Sequence, residues 1–183
     1  MKTFTVPTRE QVSENNKKIF DGLAKNLGFV PNLFAAFAHS ETALSDCLTF
    51  QNRKSTLHAK EREVVNLVVS QINDCRYCQS AHTVVGKMNG FSDEQILEIR
   101  KGSASFDEKL HALATFAHDV TLHRGKPSSK TLQNFFAAGY NEANLIDVII
   151  LIGEKTISNL LYGVMQFPID FPLAPQMNEV FVN

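Results

Sequence analysis

Apolar residues return every three or four positions along nearly the whole chain, the spacing of amphipathic helices rather than of strands. Thr8 and Gln11 form a capping-box pair ahead of Val12, Ile19 and Leu23, and Gly28 closes that stretch. Pro31 opens the next stretch, PNLFAAFAHS, as proline does at a helix start. Ser40 is placed to cap a third helix with Ala43, Leu44, Cys47, Leu48 and Phe50 on its apolar side. The segment from about His58 to Ile72 carries Val64, Val65, Leu67 and Val68 and breaks at Asn73-Asp74. A returning helix runs from about Cys75 to Met88 and ends at Asn89-Gly90.

Ser92 begins SDEQILEIRKG, with Asp93 and Glu94 at the end the helix dipole favours. Ser105 and Glu108 form a second capping-box pair, and the helix they predict carries Leu110, Leu113, Ala117 and Val120 to about Gly125. Pro127-Ser128-Ser129 restarts the chain into Leu132, Phe135 and Phe136, ending near Gly139. Asn141 caps a long helix from about Glu142 to Met165. Pro168, Pro172 and Pro175 exclude regular helix, so the tail 168–183 is extended. Only the β-branched run at 146–152 leaves a strand in competition. The prediction is an all-α fold of roughly eight helices with short connections. Residues 1–183 suit one domain built round a helical hairpin. Glu61–Cys78 and Asn144–Leu161 echo one another weakly, as two similar hairpins would.

With 44% apolar and 20% charged residues, the chain can build a core and is not disordered. A net charge of −1 leaves no electrostatic footprint for nucleic acid. The start, MKTFTVPTREQ, lacks the apolar stretch of a signal peptide. The greasiest run, Leu145–Ile152, contains Asp147 and is shorter than the ~20 residues of a spanning helix. The expectation is a cytoplasmic protein with no membrane or nucleic-acid partner. Three cysteines, an odd and low count, do not make a secreted disulfide scaffold.

Two of them, Cys75 and Cys78, form a Cys-x-x-Cys motif. Three residues apart at a helix start, they face the same side and can form a reversible disulfide. Cys75 stands at the helix N-terminus, where free backbone N–H groups favour a thiolate. His82 follows Cys78 by four residues, one turn on, and can take the thiol proton. Glu63 enters through the hairpin. It lies ten residues before Asn73, and His82 lies eight after Asp74, about 15 Å and about 12 Å along two antiparallel helices. At that height a carboxylate can orient the imidazole and raise its basicity.

The spacing Glu-x11-Cys-x-x-Cys-x3-His, as Glu63, Cys75, Cys78 and His82, resembles the alkylhydroperoxidase D (AhpD)-like group of the carboxymuconolactone decarboxylase superfamily. The flanking Lys60-Glu-Arg-Glu-Val-Val-Asn-Leu-Val-Val-Ser and Ala81-His82-Thr83 fit as well, and the match is close over about residues 57–90. GFVPNLFAAFAHSETAL is similar, more loosely, to the peroxidase-related branch. The resemblance implies an all-helical AhpD-like fold, a homo-oligomer (commonly trimer or hexamer) and cysteines cycling between dithiol and disulfide. It implies Cys78 as the thiol that attacks peroxide, Cys75 as the resolving thiol, and His82 and Glu63 as a proton relay. One position departs. The best-studied branch carries a second histidine next to the attacking cysteine, where this chain has Tyr77, a poor base at neutral pH.

The expected function is therefore a thiol–disulfide oxidoreductase that reduces hydroperoxides, regenerated by an external thiol or disulfide partner. No organic cofactor is called for, and no Gly-rich phosphate loop is present. Two other readings remain. A lyase of the decarboxylase branch needs acid–base groups and cationic anchors rather than paired thiols. A non-enzymatic helical module would use the cysteines structurally, or with His82 and Glu63 as zinc ligands. Cys47, in line with Ala43, Leu44 and Leu48, reads as a core residue. His111 and His118 share a helix face with no third ligand and read as surface or core-edge residues. By the same sequence reading, Phe167, Phe171, Leu173, Phe181 and Val182 give the tail apolar surface for subunit contacts.

Overall fold

The computed structural model describes residues 4–177. Its helices in chain order are α1 (Glu14–Leu27), α2 (Asn32–Phe37), α3 (Ala43–Gln51), α4 (Ala59–Ile72), α5 (Arg76–Met88), α6 (Asp93–Arg100), α7 (Glu108–Leu122), α8 (Ser129–Ala137) and α9 (Glu142–Met165), after a 3₁₀ turn at Arg9–Gln11. No strand occurs among the described residues, so the fold is all-α, as the periodicity predicts. The run 146–152 is helical within α9. Phe181 and Val182 lie outside the described residues.

The chain divides into two compact units. One comprises the residues up to Lys54 together with Leu161–Asp170. Its core joins Val12, Phe20, Ala35, Ala38 and Leu44. Asn32 closes it on the later segment, with its backbone N–H donating to Asp170 Oδ2 at 2.6 Å and its amide to the Pro168 carbonyl at 3.0 Å. The other unit comprises Ser55–Leu160 and the residues from Phe171. Here α4 is the central helix, packed against α5, α6 and α7, with α8 on α7. From Glu63 to Gln71 every residue of α4 is buried, so its valines and Leu67 feed a core shared with Ile96, Ile99, Leu113, Phe116 and Val148. Phe135 stacks between Phe116 and Tyr140, with centroids 4.3 and 4.5 Å apart. Tyr140 donates its hydroxyl to Glu61 at 3.0 Å.

Several local expectations shift. The Thr8–Gln11 pair caps the 3₁₀ turn, with Thr8 N–H on Gln11 Oε1 at 2.8 Å, while α1 starts under Ser13, which accepts from Asn16 N–H. Val12 is thus a core residue ahead of the helix. Thr42, not Ser40, stands at the N-cap of α3. Phe50 is exposed there, because six positions past Leu44 turn it about 120° away from that buried stripe. Cys47 is only half-buried. Asp107, not Ser105, caps α7, accepting from Leu110 N–H at 2.9 Å; a carboxylate directly before the first turn also meets the helix dipole. Ser105 instead donates its N–H to Glu98. The echo of a second hairpin fails, since α9 runs unbroken through Asn144–Leu161.

At 24 residues and a mean hydropathy of 1.4 over its most apolar stretch, α9 is long and apolar enough to cross a membrane by length and composition. The eight-residue run at Leu145–Ile152 understates it because apolar residues continue past Gly153. Its other face buries Asp147, Glu154, Lys155, Ser158 and Asn159. Asp147 accepts from the hydroxyls of Ser55 and Thr56, at 3.1 and 2.8 Å. The tail is non-helical after Met165, as its prolines require. Much of it is inward: Phe167 and Ala174 are buried, and Tyr77 meets Phe171 edge-on at 5.6 Å. Only Leu173 of the tail's large apolar residues named above is fully exposed among the described ones.

Gly102, directly after α6, holds φ +78°, and a Cβ there would sit 2.7 Å from His118 Cδ2 and 2.9 Å from its Cβ. Gly139, at φ +90°, has open space around it. Both positions favour glycine by conformation, but only Gly102 adds a collision with atoms close to a helix backbone. Gly139→Ala should lower stability by about 1–2 kcal/mol, and Gly102→Ala by on the order of 3 kcal/mol or more. Urea unfolding midpoints of the two variants check this; equal losses would show that the His118 contact costs nothing.

Candidate active site

The site begins with a turn. α4 ends at Asn73, Asp74 takes the left-handed conformation at φ 49°, and the chain reverses into α5. Asp tolerates that region better than most residues. Cys75 then occupies the N-cap of α5, a place usually held by Ser, Thr, Asp or Asn. Its Sγ accepts from the backbone N–H of Cys78 at 3.2 Å. Its own N–H is held by the Ser70 carbonyl at 3.0 Å. The spacing of the two cysteines thus becomes a cap, and both are buried free thiols.

Glu63 and His82 meet across the hairpin, with Nδ1 2.8 Å from Oε2. The antiparallel register inferred from ten residues up and eight residues down is the one observed. The second carboxylate oxygen accepts from the Asn66 amide at 2.9 Å. Burial works against the Glu63 charge, but His82, Asn66 and Lys155 outweigh it and hold the carboxyl below its ordinary range. Burial, helped by Lys155, pushes the His82 imidazole below its ordinary value despite Glu63. At neutral pH the pair is therefore a carboxylate and a neutral imidazole. An ionised carboxylate only accepts, so the ring proton sits on Nδ1 and Nε2 keeps its lone pair. His82 shares a face of α5 with Cys78 by spacing, without a direct hydrogen bond between them among those formed by the described residues. A proton passing between them needs a bridging water or a small closure.

The two sulfurs share one proton unevenly. The Cys75 thiol donates to the Cys78 sulfur, which with burial raises Cys75, while the same bond lowers Cys78 against the opposing effect of burial. Lys155 and Asn159 further favour charge on Cys78. The helix-start contact, Cys78 N–H on Cys75 Sγ, acts the opposite way and is outweighed. The cysteine closer to the helix N-terminus is thus not the more acidic one.

Behind the sulfurs lies a guanidinium network. Arg100 is fully buried and donates to Gln71 Oε1 at 2.9 and 2.6 Å, to Gln79 Oε1 at 3.1 Å and to the Pro175 carbonyl at 2.9 Å. Burial and nearby Arg76 bring its pKa down to about 10. Arg76 and Ser80 hold the Ala174 backbone at 3.1 Å each. The start of α5 is therefore tied to α4, α6 and the tail. Lys155, Asn159 and Arg100 went unrecognised in the sequence. The signal for the first two was legible: Glu154, Lys155, Ser158 and Asn159 interrupt an otherwise apolar helix at i, i+1, i+4 and i+5. Tyr77, in the place of the second histidine, is buried against Phe171. Among the described residues no group of three or more His, Cys, Asp or Glu is arranged to hold a metal ion.

Comparison with known proteins follows the same lines. No curated protein matches the chain in sequence. In fold it is similar to an uncharacterized peroxidase-related protein from Silicibacter sp. TM1040, at 22% identity over 90% of this chain and 89% of that one, with a TM-score of 0.80. It is similar to an uncharacterized peroxidase-related protein with an alkylhydroperoxidase AhpD core from Ralstonia eutropha JMP134, at 17% identity over 91% of each chain and a TM-score of 0.82. A cysteine-to-alanine variant of the debrominase Bmp8, in complex with 2,3,4-tribromopyrrole, aligns at 16% identity over 93% of each chain with a TM-score of 0.75. The sequence pattern of the carboxymuconolactone decarboxylase family matches residues 31–119, a span that holds Glu63, Cys75, Cys78 and His82. Residues 31–119 thus match the carboxymuconolactone decarboxylase family, and the fold is that of the AhpD-like proteins.

Proposed function

We propose that the chain is a thiol-dependent peroxidase, reducing small hydroperoxides with Cys75 and Cys78 as its electron source. The observation that carries this reading is the part-buried Glu63–His82 pair on the hairpin that also presents a dithiol with unequal acidities. A lyase would have no use for that asymmetry.

The cycle balances with an external dithiol as reductant. His82 takes the proton of Cys78, and Glu63 bears the imidazolium charge. The Cys78 thiolate attacks the distal oxygen of ROOH. The O–O bond breaks, a sulfenic acid forms on Cys78, and RO⁻ leaves as ROH with the proton from His82. Cys75, on losing its proton, displaces the sulfenic oxygen as water and closes the disulfide. The external dithiol restores both thiols by exchange.

Thiol titration with and without cumene hydroperoxide tests this directly. Two thiols per chain should disappear together, with Cys47 retained. Cys78→Ser should abolish turnover, and Cys75→Ser should give one oxidation event that dimedone traps on Cys78. Consumption of 2,3,4-tribromopyrrole but not of hydroperoxide would overturn the peroxide reading, and unchanged thiols with both would overturn the thiol chemistry as a whole.

His82→Ala should slow peroxide reduction by about 10²-fold or more near neutral pH and matter less in alkali, where the thiol ionises unaided. Because the His82 pKa is lowered, the unaltered protein should keep its base form, and its rate, to pH values below the ordinary histidine range. Rates from pH 5 to 10 check both statements; an equal loss at every pH would make His82 a packing residue.

The proposed assembly is a homo-oligomer, a trimer or hexamer by the family resemblance. Its support is no longer the tail but α9, where Ile146, Ile149, Ile157 and Leu160 form an exposed stripe at helical spacing, with Gly153 open among them. A second copy of the same face would cover it. Sedimentation at micromolar concentration should give a multiple of the chain mass, and Ile157→Asp should lower it; a clean monomer in the unaltered protein overturns the assembly.

A further inference from the structure

One buried donor near the sulfurs has no hydrogen-bond acceptor. Asn159 on α9 is 4% exposed. Its Oδ1 accepts from the Asn73 amide at 2.9 Å, which fixes the orientation of the group. Its Nδ2 then completes no hydrogen bond, although the groups it acts on are the sulfurs of Cys75 and Cys78. Leaving an N–H unpaired in a core destabilises the fold. One turn earlier on the same helix, Lys155 is also 4% exposed, and its charge acts on Cys78. A neutral thiol is a poor acceptor. An anionic sulfur would satisfy both groups at once.

We propose that Asn159 and Lys155 are positioning residues that hold the Cys78 sulfur as an anion, Asn159 by donating Nδ2–H to it and Lys155 by its charge, with Asn73 locking the amide. This rests on the reading of Cys78 as the attacking thiol and adds what makes it acidic. Asn73 ends α4 two residues before Cys75, so the turn that creates the cysteine cap also aims the α9 amide. The charged and titratable groups that act on Cys78 are Cys75 at the N-cap of α5 and Lys155 from α9; His82, one turn along α5, is itself acted on by Glu63 from α4 and by Lys155 and Glu154 from α9. Glu63 is occupied by His82 and Asn66, which leaves Lys155 as the cation that acts on the sulfur. Once Cys78 becomes neutral in the disulfide, the two α9 groups lose their anion, so they favour the reduced form over the oxidised one.

The test needs no peroxide. The pH dependence of iodoacetamide alkylation is measured for each cysteine; Arg76 lies between them, so tryptic peptides report Cys75 and Cys78 separately. In the unaltered protein Cys78 should alkylate with a midpoint below the ~8.5 of a free cysteine. Asn159→Asp keeps the shape and the Asn73 contact, removes the donor and adds like charge, and should raise the Cys78 midpoint by more than about one unit. Asn159→Leu and Lys155→Met should each raise it by about one unit, and all three should shift the dithiol–disulfide equilibrium towards disulfide in glutathione buffers. Unfolding midpoints show whether each variant is native; Lys155→Met, close in volume and free of a buried charge, folds where the others do not and suffices alone. A low midpoint in the unaltered protein that persists in native Lys155→Met and Asn159→Asp overturns this assignment and leaves Cys78 as nucleophile. An ordinary midpoint in the unaltered protein overturns both.

Discussion

Burying one helix on every side is the constraint from which the rest of this structure follows. α4 has no exposed residue from Glu63 to Gln71, yet that stretch contains Glu63, Asn66, Ser70 and Gln71. A polar group in a core must be bonded or it destabilises the fold. Two neighbouring helices bring matching groups, His82 from α5 for Glu63 and Arg100 from α6 for Gln71, and the backbone carbonyl of Ser70 accepts the N–H of Cys75 and the amide of Gln79. The contacts that hold α4 in place are the same ones that orient the imidazole and the cysteine turn. Foundation and candidate site are one network.

That overlap explains the electrostatics. Glu63 can stay charged in the core because a ring N–H, an amide and a distant ammonium all face it. His82 can stay neutral because burial and Lys155 oppose its protonation more than Glu63 favours it. The remaining positive influence of Lys155, with the Asn159 donor, falls on the sulfurs. Position along α5 alone would make Cys75 the acidic thiol, through the dipole and its cap contact. The hydrogen bond from the Cys75 thiol to the Cys78 sulfur reverses that order, and Lys155 and Asn159, some 80 positions away in sequence, add to it.

Helix starts in this chain are locally ambiguous where two capping signals of one kind stand close together. Thr8 and Ser13, Ser40 and Thr42, and Ser105 and Asp107 are each plausible helix starts. Local hydrogen bonding ranks them nearly equal, and packing chose the later one each time. Phe167 and Phe171 looked like free apolar surface because a proline-broken tail carries no periodicity to show which side faces in. The tail backbone at Ala174 and Pro175 accepts from Arg76 and Arg100 and donates to Ser80, which holds that part of the tail inward instead.

The helices, the hairpin break at Asn73-Asp74 and the pairing of Glu63 with His82 were legible in the sequence, since each depends on spacing within about twenty residues and helix geometry turns such spacing into distance. The Cys-x-x-Cys motif likewise carried its own chemistry. What the sequence could not determine was what satisfies a buried arginine and which groups of α9 act on the sulfurs. Those depend on partners far apart along the chain, brought together by the packing of α4, and no local pattern encodes a contact whose other half lies in another helix.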